Sequence, residues 1–277
     1  MSQIAAKPSP WWPGIATHLG ITRGLVFATP LWDPITSGSG ERPLATDIIT
    51  QTVATQGTAN GAAWQDGEYG KQIASSATAN TMPWWDIPQV NPPFSVMVFL
   101  SAGVSASDRA MILNDPSATT RGFSIGTGGA STTMFVQWID SAGTTTVISA
   151  ASMISATEDN VYIASLSDEG SNLSWCAAMC NGRVATASGF VSRAPVMTRV
   201  YLLRDGSTVN TWDGKVYCAA VWSRLLGFEE MRQLCADPFC LWRPRSRASL
   251  LSAGVSVAAG QPMNLRWMGL KHMMGAA

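Results

Sequence analysis

The chain reads as an all-β protein: a two-sheet antiparallel sandwich of jelly-roll type with one short C-terminal helix and extended terminal arms. Three observations predict this. Short runs of β-branched and aromatic residues recur along the middle of the chain, each bounded by Gly, Asp, Asn or Ser. Only one segment, 227–236, has a convincing helical period. And 277 residues with 46% hydrophobic content suffice for one large β domain with a sizeable core.

The elements follow in order. Residues 1–19 hold Pro8, Pro10 and Pro13 around the pair Trp11-Trp12, which suits an extended arm rather than a core element. Residues 24–32 are apolar with β-branched and aromatic content, a first strand, and 46–54 alternate weakly as a second. Residues 64–73 read as strand, turn and strand, with Asp66-Gly67 as the turn. The Pro-rich stretch 82–93 reads as a rigid connection, and 94–101 as the clearest strand of the first half. Strands are expected at 110–114, 122–126, 132–139, 144–150, 161–167, 173–180 and 198–204, with turn chemistry at 168–171 and Asn181-Gly182. A long alternating strand follows Trp212, then a tight corner.

In the helix, Phe228, Met231, Leu234 and Cys235 form one stripe, and Glu229, Glu230, Arg232 and Gln233 lie outside it. The two Glu occupy the first turn, where the helix dipole favours anions, and Asp237-Pro238 stops the helix. Residues 245–277 are basic and Met-rich, a second arm. The expected organisation is therefore an arm over 1–19, a domain over 20–244 and an arm over 245–277.

Charge supports that division. All eighteen carboxylates fall between Asp33 and Asp237, while Arg243, Arg245, Arg247, Arg266 and Lys271 follow them. A basic arm and an acidic body favour arms that lie across a neighbouring acidic surface, a copy of the chain included. Trp11, Trp12, Arg243, Arg245, Arg247, Trp267, Met268, Met273 and Met274 are the expected assembly contacts. A loose basic tail is the competing reading. The acidic body argues against nucleic acid as a partner.

The five Cys have no metal spacing and read as buried thiols of a reducing compartment. The first residues lack a signal-peptide apolar core, and the longest apolar runs near the C-terminus are too short for a bilayer, so neither export nor a membrane partner is expected.

Catalytic patterns fail one by one. No Glu-x-Asp-x-x-Glu strand is present to place glycosidase carboxylates on one face. Glu158-Asp159 and Asp168-Glu169 are adjacent, so in a strand their side chains would diverge. The two His, His18 and His272, lie in the arms, and no Gly-x-Ser-x-Gly elbow occurs. Gly126-Thr-Gly-Gly lacks the Lys of a phosphate loop. The expectation is a protein that is not an enzyme and needs no cofactor. Twelve Trp leave room for a sugar-stacking face, and Trp84-Trp85-Asp86 is the best candidate stretch, although a core-covering role competes for it.

The segment 162–242 resembles the laminin-G-like, concanavalin A-like jelly-roll superfamily. The resemblance rests on Tyr162 to Gly170, the Asn181-Gly182 hairpin, the strand from Gly214 through Trp222-Ser-Arg-Leu-Leu, and the helix from Phe228 to Asp237-Pro-Phe239. Trp64 to Gly70 and 94–99 extend it more loosely. It implies a recognition fold that hosts lectins, enzymes and structural modules alike. It also implies a possible Ca²⁺ site near a sugar site, for which Asp205, Asn210 and Asp213 are the candidates, with turn capping as the competing reading.

Trp11-Trp12 ahead of Gly20-Ile-Thr-Arg-Gly-Leu-Val, together with the Pro238-Phe-Cys-Leu-Trp-Arg-Pro-Arg245 ending, looks like proteins from tailed-bacteriophage structural gene clusters. That likeness implies a non-enzymatic virion component (decoration, fibre or tail-associated) made in the host bacterial cytoplasm and bound to other virion proteins and to its own copies. The alternative is a carbohydrate-binding adhesin that recognises host surface glycans.

Overall fold

Two runs with every residue buried, Phe94–Leu100 and Asn160–Leu166, decide the layering: a strand buried along its whole length needs cover on both faces. The computed structural model of the chain describes residues 19–33, 46–50, 52–53, 63–67, 70–75, 84–101, 109–115, 118–128, 130–140, 143–167, 174–190, 197–202 and 214–242. The chain divides into units 1–243 and 244–277, and all described residues lie in the first.

After a short 3-10 turn at Gly20–Thr22 come β1 (Leu25–Pro30), β2 (Trp32–Asp33), β3 (Thr46–Asp47), β4 (Thr52–Val53), β5 (Ala63–Gly67) and β6 (Gly70–Ser75). Next are β7 (Trp84–Val90), β8 (Phe94–Leu100), β9 (Arg109–Asp115), β10 (Ala118–Gly128), β11 (Ala130–Asp140) and β12 (Gly143–Ala150). The series ends with β13 (Asn160–Leu166), β14 (Ser174–Cys180), β15 (Arg183–Phe190), β16 (Met197–Leu202), β17 (Gly214–Trp222) and the helix α1 (Phe228–Ala236), followed by a 3-10 turn at Cys240–Trp242.

Nine described strands form one antiparallel sheet along β15-β14-β13-β8-β17-β6-β2, with β1 on β17 and β5 on β6. Six form the second, in the order β12-β11-β10-β9-β16-β7. This is the expected sandwich. The side-chain period of two sends Phe94, Val96, Val98 and Leu100 into the space between the sheets, where they meet Phe123, Ile125, Val136 and Trp138. Phe94 stacks edge-on to Phe123 at 4.9 Å.

The intervening residues Met97 and Phe99 face the other way. They join Ile163, Met179 and Trp222 under a third layer made by Met231 and Leu234 of α1, Phe239, Leu241 and Trp242. That third layer explains why β8 and β13 lack alternation. Alternation along β17 also serves both layers, broken by one β-bulge: Val216 pairs with Leu100 and Cys218 with Phe99, so Tyr217 is the extra residue and both Tyr217 and Cys218 join the outer layer.

The corner after β17 is fixed by polar contacts. Ser95 and Ser165, both buried, share a 2.7 Å hydrogen bond, and the Leu226 N–H donates to Ser95 Oγ at 2.9 Å. Arg224 donates to both carboxylate oxygens of Glu230, at 2.6 and 2.8 Å, and to the Arg23 carbonyl at 2.6 Å. Glu230 in turn accepts the Gly227 N–H at 2.9 Å, one of the orphan donors at the start of α1. Hydrogen bonds from Arg224 hold the Glu230 carboxyl below its ordinary range. Gly24, at φ +74°, passes so close that a Cβ there would sit 3.2 Å from the Arg224 side chain. Trp222 Nε1 closes the corner by donating to the Ile21 carbonyl at 2.7 Å.

Two expectations are corrected. Residues 82–93 contain β7 rather than only a connection. The sheet accepts Pro88 because β7 is its last described strand and its register with β16 shifts between Asp86 and Val90, so Pro88 falls at an irregularity of the ladder. Asp66-Gly67 belongs to β5 rather than to a turn, with Asp66 paired to Lys71 and Gly67 to Gly70. The helix forms as expected, except that Phe228 is 42% exposed instead of packed. All five Cys are free thiols, four buried and Cys235 half-buried.

Candidate functional site

The outer face of the six-stranded sheet points away from the core, and its β16–β7 end carries a cluster of aromatic and charged side chains. Alternation builds it. On β7, Trp85 and Ile87 turn into the core, so Trp84 and Asp86 turn outward. On β16, Val200 and Leu202 turn in, so Arg199 and Tyr201 turn outward. The register then sets Arg199 opposite Asp86 and Tyr201 opposite Trp84.

Cross-strand neighbours on one face are close enough to interact, and these do. Arg199 Nε donates to Asp86 Oδ1 at 2.7 Å. Its Nη1 donates to the Tyr201 hydroxyl at 3.3 Å. The guanidinium carbon lies 3.7 Å from the Trp84 ring centroid, a cation–π contact, and 6.0 Å from that of Tyr201. The two rings are 6.3 Å apart and tilted by 39°.

Exposure divides the pair: the Arg199 side chain is 19% exposed and that of Asp86 64%. Burial alone would lower the Arg199 pKa, but its hydrogen bonds to Asp86 and Tyr201 outweigh that and raise it. A guanidinium is a permanent cation in any case, and here it lies over the Trp84 ring. Chemically the cluster offers a layered apolar surface, an exposed carboxylate and the N–H groups of a guanidinium. It has no nucleophile–base pair.

Of the sequence candidates, Trp84 and Asp86 lie in this cluster. Trp85 does not: it is 1% exposed and packs edge-on against Phe27 at 5.2 Å, so it has no ring face for a ligand. Arg199 and Tyr201 were not expected there. Their signal was the alternation over 199–202, with Val200 and Leu202 apolar between them, which marks an outward row once the strand is known. Asp205, Asn210 and Asp213 lie outside the described residues, as do Trp11, Trp12, Arg243, Arg245, Arg247, Trp267, Met268, Met273 and Met274. Among the described residues no group of three His, Cys, Asp or Glu is placed to hold a metal, and no helix is long and apolar enough to cross a membrane.

No protein-family model matches the chain, and no curated protein does. Solved structures do match. The binding domain of Paraclostridial Mosquitocidal Protein 1 superposes with a TM-score of 0.55 at 12% identity, covering 78% of this chain and 52% of that one. The receptor-binding domain of botulinum neurotoxin type G gives 0.53 at 12%, covering 76% and 51%. Domain 4 of AbnA, an extracellular arabinanase of Geobacillus stearothermophilus solved with arabinotriose, gives 0.51 at 12%, covering 76% of this chain and 98% of that domain. The chain thus spans about half the length of the first two of these and nearly all of the arabinanase domain. At such identities the likeness is one of fold: an all-β architecture shared with a receptor-binding domain and with a domain solved with arabinotriose.

Proposed function

We propose that the chain is a non-catalytic carbohydrate-recognition module whose ligand rests on the outward face of β7 and β16. The observation that carries this reading is the packing of Trp84, Arg199, Tyr201 and Asp86 into one partly exposed group. A sugar ring has an apolar C–H face and a rim of hydroxyls. Aromatic rings match the first; a carboxylate and a guanidinium match the second, because each hydroxyl both donates and accepts. Folds similar to this one include a receptor-binding domain and a domain solved with an oligosaccharide, which supports the same reading.

A place in a bacteriophage particle, held through 1–19 and 245–277, is a separate proposal that rests on the sequence resemblance alone. The two are compatible, since an adhesin needs both a ligand face and an attachment.

The test is retention of the full chain on an array of immobilised glycans, with Trp84→Ala and Arg199→Ala beside it. The expected result is retention of the wild type and at least a tenfold loss in each variant, with circular dichroism unchanged. Retention of no glycan, or retention that survives both substitutions, overturns the assignment.

A further inference from the structure

Among the described residues, each charged group at the site spends only part of its hydrogen-bonding capacity. Asp86 uses Oδ1 for Arg199, and its Oδ2 has no partner among the described residues, on a side chain that is 64% exposed. Arg199 uses Nε for Asp86 and Nη1 for Tyr201, while Nη2 has no partner among the described residues. One acceptor oxygen and one donor nitrogen therefore remain, on two side chains already joined by a 2.7 Å bond. The pair is also neutral as a unit, one cation against one anion.

We propose, on the carbohydrate reading above, that this site selects neutral sugars bearing adjacent hydroxyls and discriminates against acidic sugars. The spare groups are complementary: one hydroxyl donates to Asp86 Oδ2 and its neighbour accepts from Arg199 Nη2. Both bonds are charge-assisted, which makes them stronger than bonds between neutral groups. A third contact follows from the layering, with the C–H face of the sugar against the exposed part of Trp84 or Tyr201. A carboxylate-bearing sugar loses this advantage. The guanidinium it would seek is already neutralised, and the more exposed member of the pair is an anion. Asp86 is thus the residue that sets specificity, by repelling acids as well as by accepting a hydroxyl.

The test compares immobilised neutral hexose and pentose oligosaccharides with uronic-acid and sialylated counterparts, using the full chain as wild type, Asp86→Asn and Trp84→Ala. The wild type is expected to favour the neutral member of a matched pair by about tenfold or more, a factor in keeping with one like-charge contact near a protein surface. Raising the ionic strength should leave neutral binding within about twofold, because no net charge is engaged. Asp86→Asn keeps the shape and an acceptor oxygen but removes the anion, so the neutral-to-acidic ratio should fall about tenfold.

A wild type that prefers acidic sugars and loses them in Trp84→Ala overturns the selectivity and leaves the site standing. A wild type that holds no sugar, or holds it equally in Trp84→Ala, removes both. Because the wild-type ratio is read without any variant, poor folding of Asp86→Asn does not shield the proposal.

Discussion

Trp84 and Trp85 are adjacent on one strand and have opposite fates, so truncating each to Ala separates recognition from packing. Trp85 is 1% exposed and packed against Phe27. Trp→Ala at a buried site removes the transfer energy of the indole and leaves a cavity, together about 3–5 kcal/mol. Trp84 loses a cation–π contact with Arg199, about 0.5–1 kcal/mol at a partly exposed site, and a cross-strand pair with Tyr201, about 0.2–1 kcal/mol. Its total is about 1–2 kcal/mol. In a domain of this size 1 kcal/mol shifts the melting temperature by about 2–4 °C, so Trp85→Ala should melt about 10 °C lower and Trp84→Ala only a few degrees lower. Urea unfolding followed by circular dichroism checks the stabilities, and glycan retention is read on the same preparations. The expected pattern is crossed: Trp84→Ala folds and does not bind, whereas Trp85→Ala binds in whatever fraction stays folded. Equal destabilisation by the two substitutions would refute the argument, because it would mean that the outward ring is packed as deeply as the inward one.

The remaining predictions concern the corner and the thiols. Arg224→Ala and Glu230→Gln, with the double variant, should show a coupling of about 1 kcal/mol by urea unfolding; the bond is bidentate, but the side chains are 26% and 30% exposed and so partly screened. Because the folded pKa of Glu230 is depressed, this stabilisation is present above the ordinary carboxylate range and is lost as pH falls through the folded pKa. The gap between wild type and Glu230→Gln should therefore close below about pH 4, and a gap that widens there would contradict the assignment. Burial pushes Cys176, Cys180 and Cys218 well above an ordinary thiol, and Cys235 up to about 11 despite hydrogen bonds from the Gly182 and Asn181 backbone. A thiol reagent at pH 8 should label fewer than one of the five cysteines rapidly in the native protein and all five after denaturation; rapid labelling of two or more would show that these layers open.

Local sequence carried much of this architecture. The run at 94–100 is apolar at every position but Ser95 and is buried at every position. The helix stripe at Met231 and Leu234, and its stop at Asp237-Pro238, follow from spacing alone. Two strands that local sequence does not announce, β7 and β15, share one cause. In β15, Arg-Val-Ala-Thr-Ala-Ser-Gly-Phe has small side chains and little hydrophobic contrast, and β7 contains Pro88; both are the end strands of their sheets. An end strand has one partner rather than two, so weak propensity and even Pro are tolerated there. Which strand lies at the end is decided by pairing across long separations, such as Arg199 with Asp86, 113 residues apart, and no local window contains it.

The same logic explains where a ligand face is available. The nine-stranded sheet has spent both faces around β8, β13 and β17: one meets the opposing sheet and the other meets α1 and the chain at 239–242. The middle of the six-stranded sheet is closed as well, since Ser124 of β10 and Phe135 of β11 face away from the sandwich core and are still buried. The end formed by β16 and β7 differs because its outward residues are long and charged or aromatic, and Asp86 reaches solvent. Burying that row would strip water from an Arg–Asp pair at a cost the contact repays poorly, whereas leaving it exposed costs little. A fold that fills its sheet centres for stability thus leaves the recognition proposed above to its last strands, where the outward row is only partly covered and one neighbouring strand is enough to hold the side chains in place.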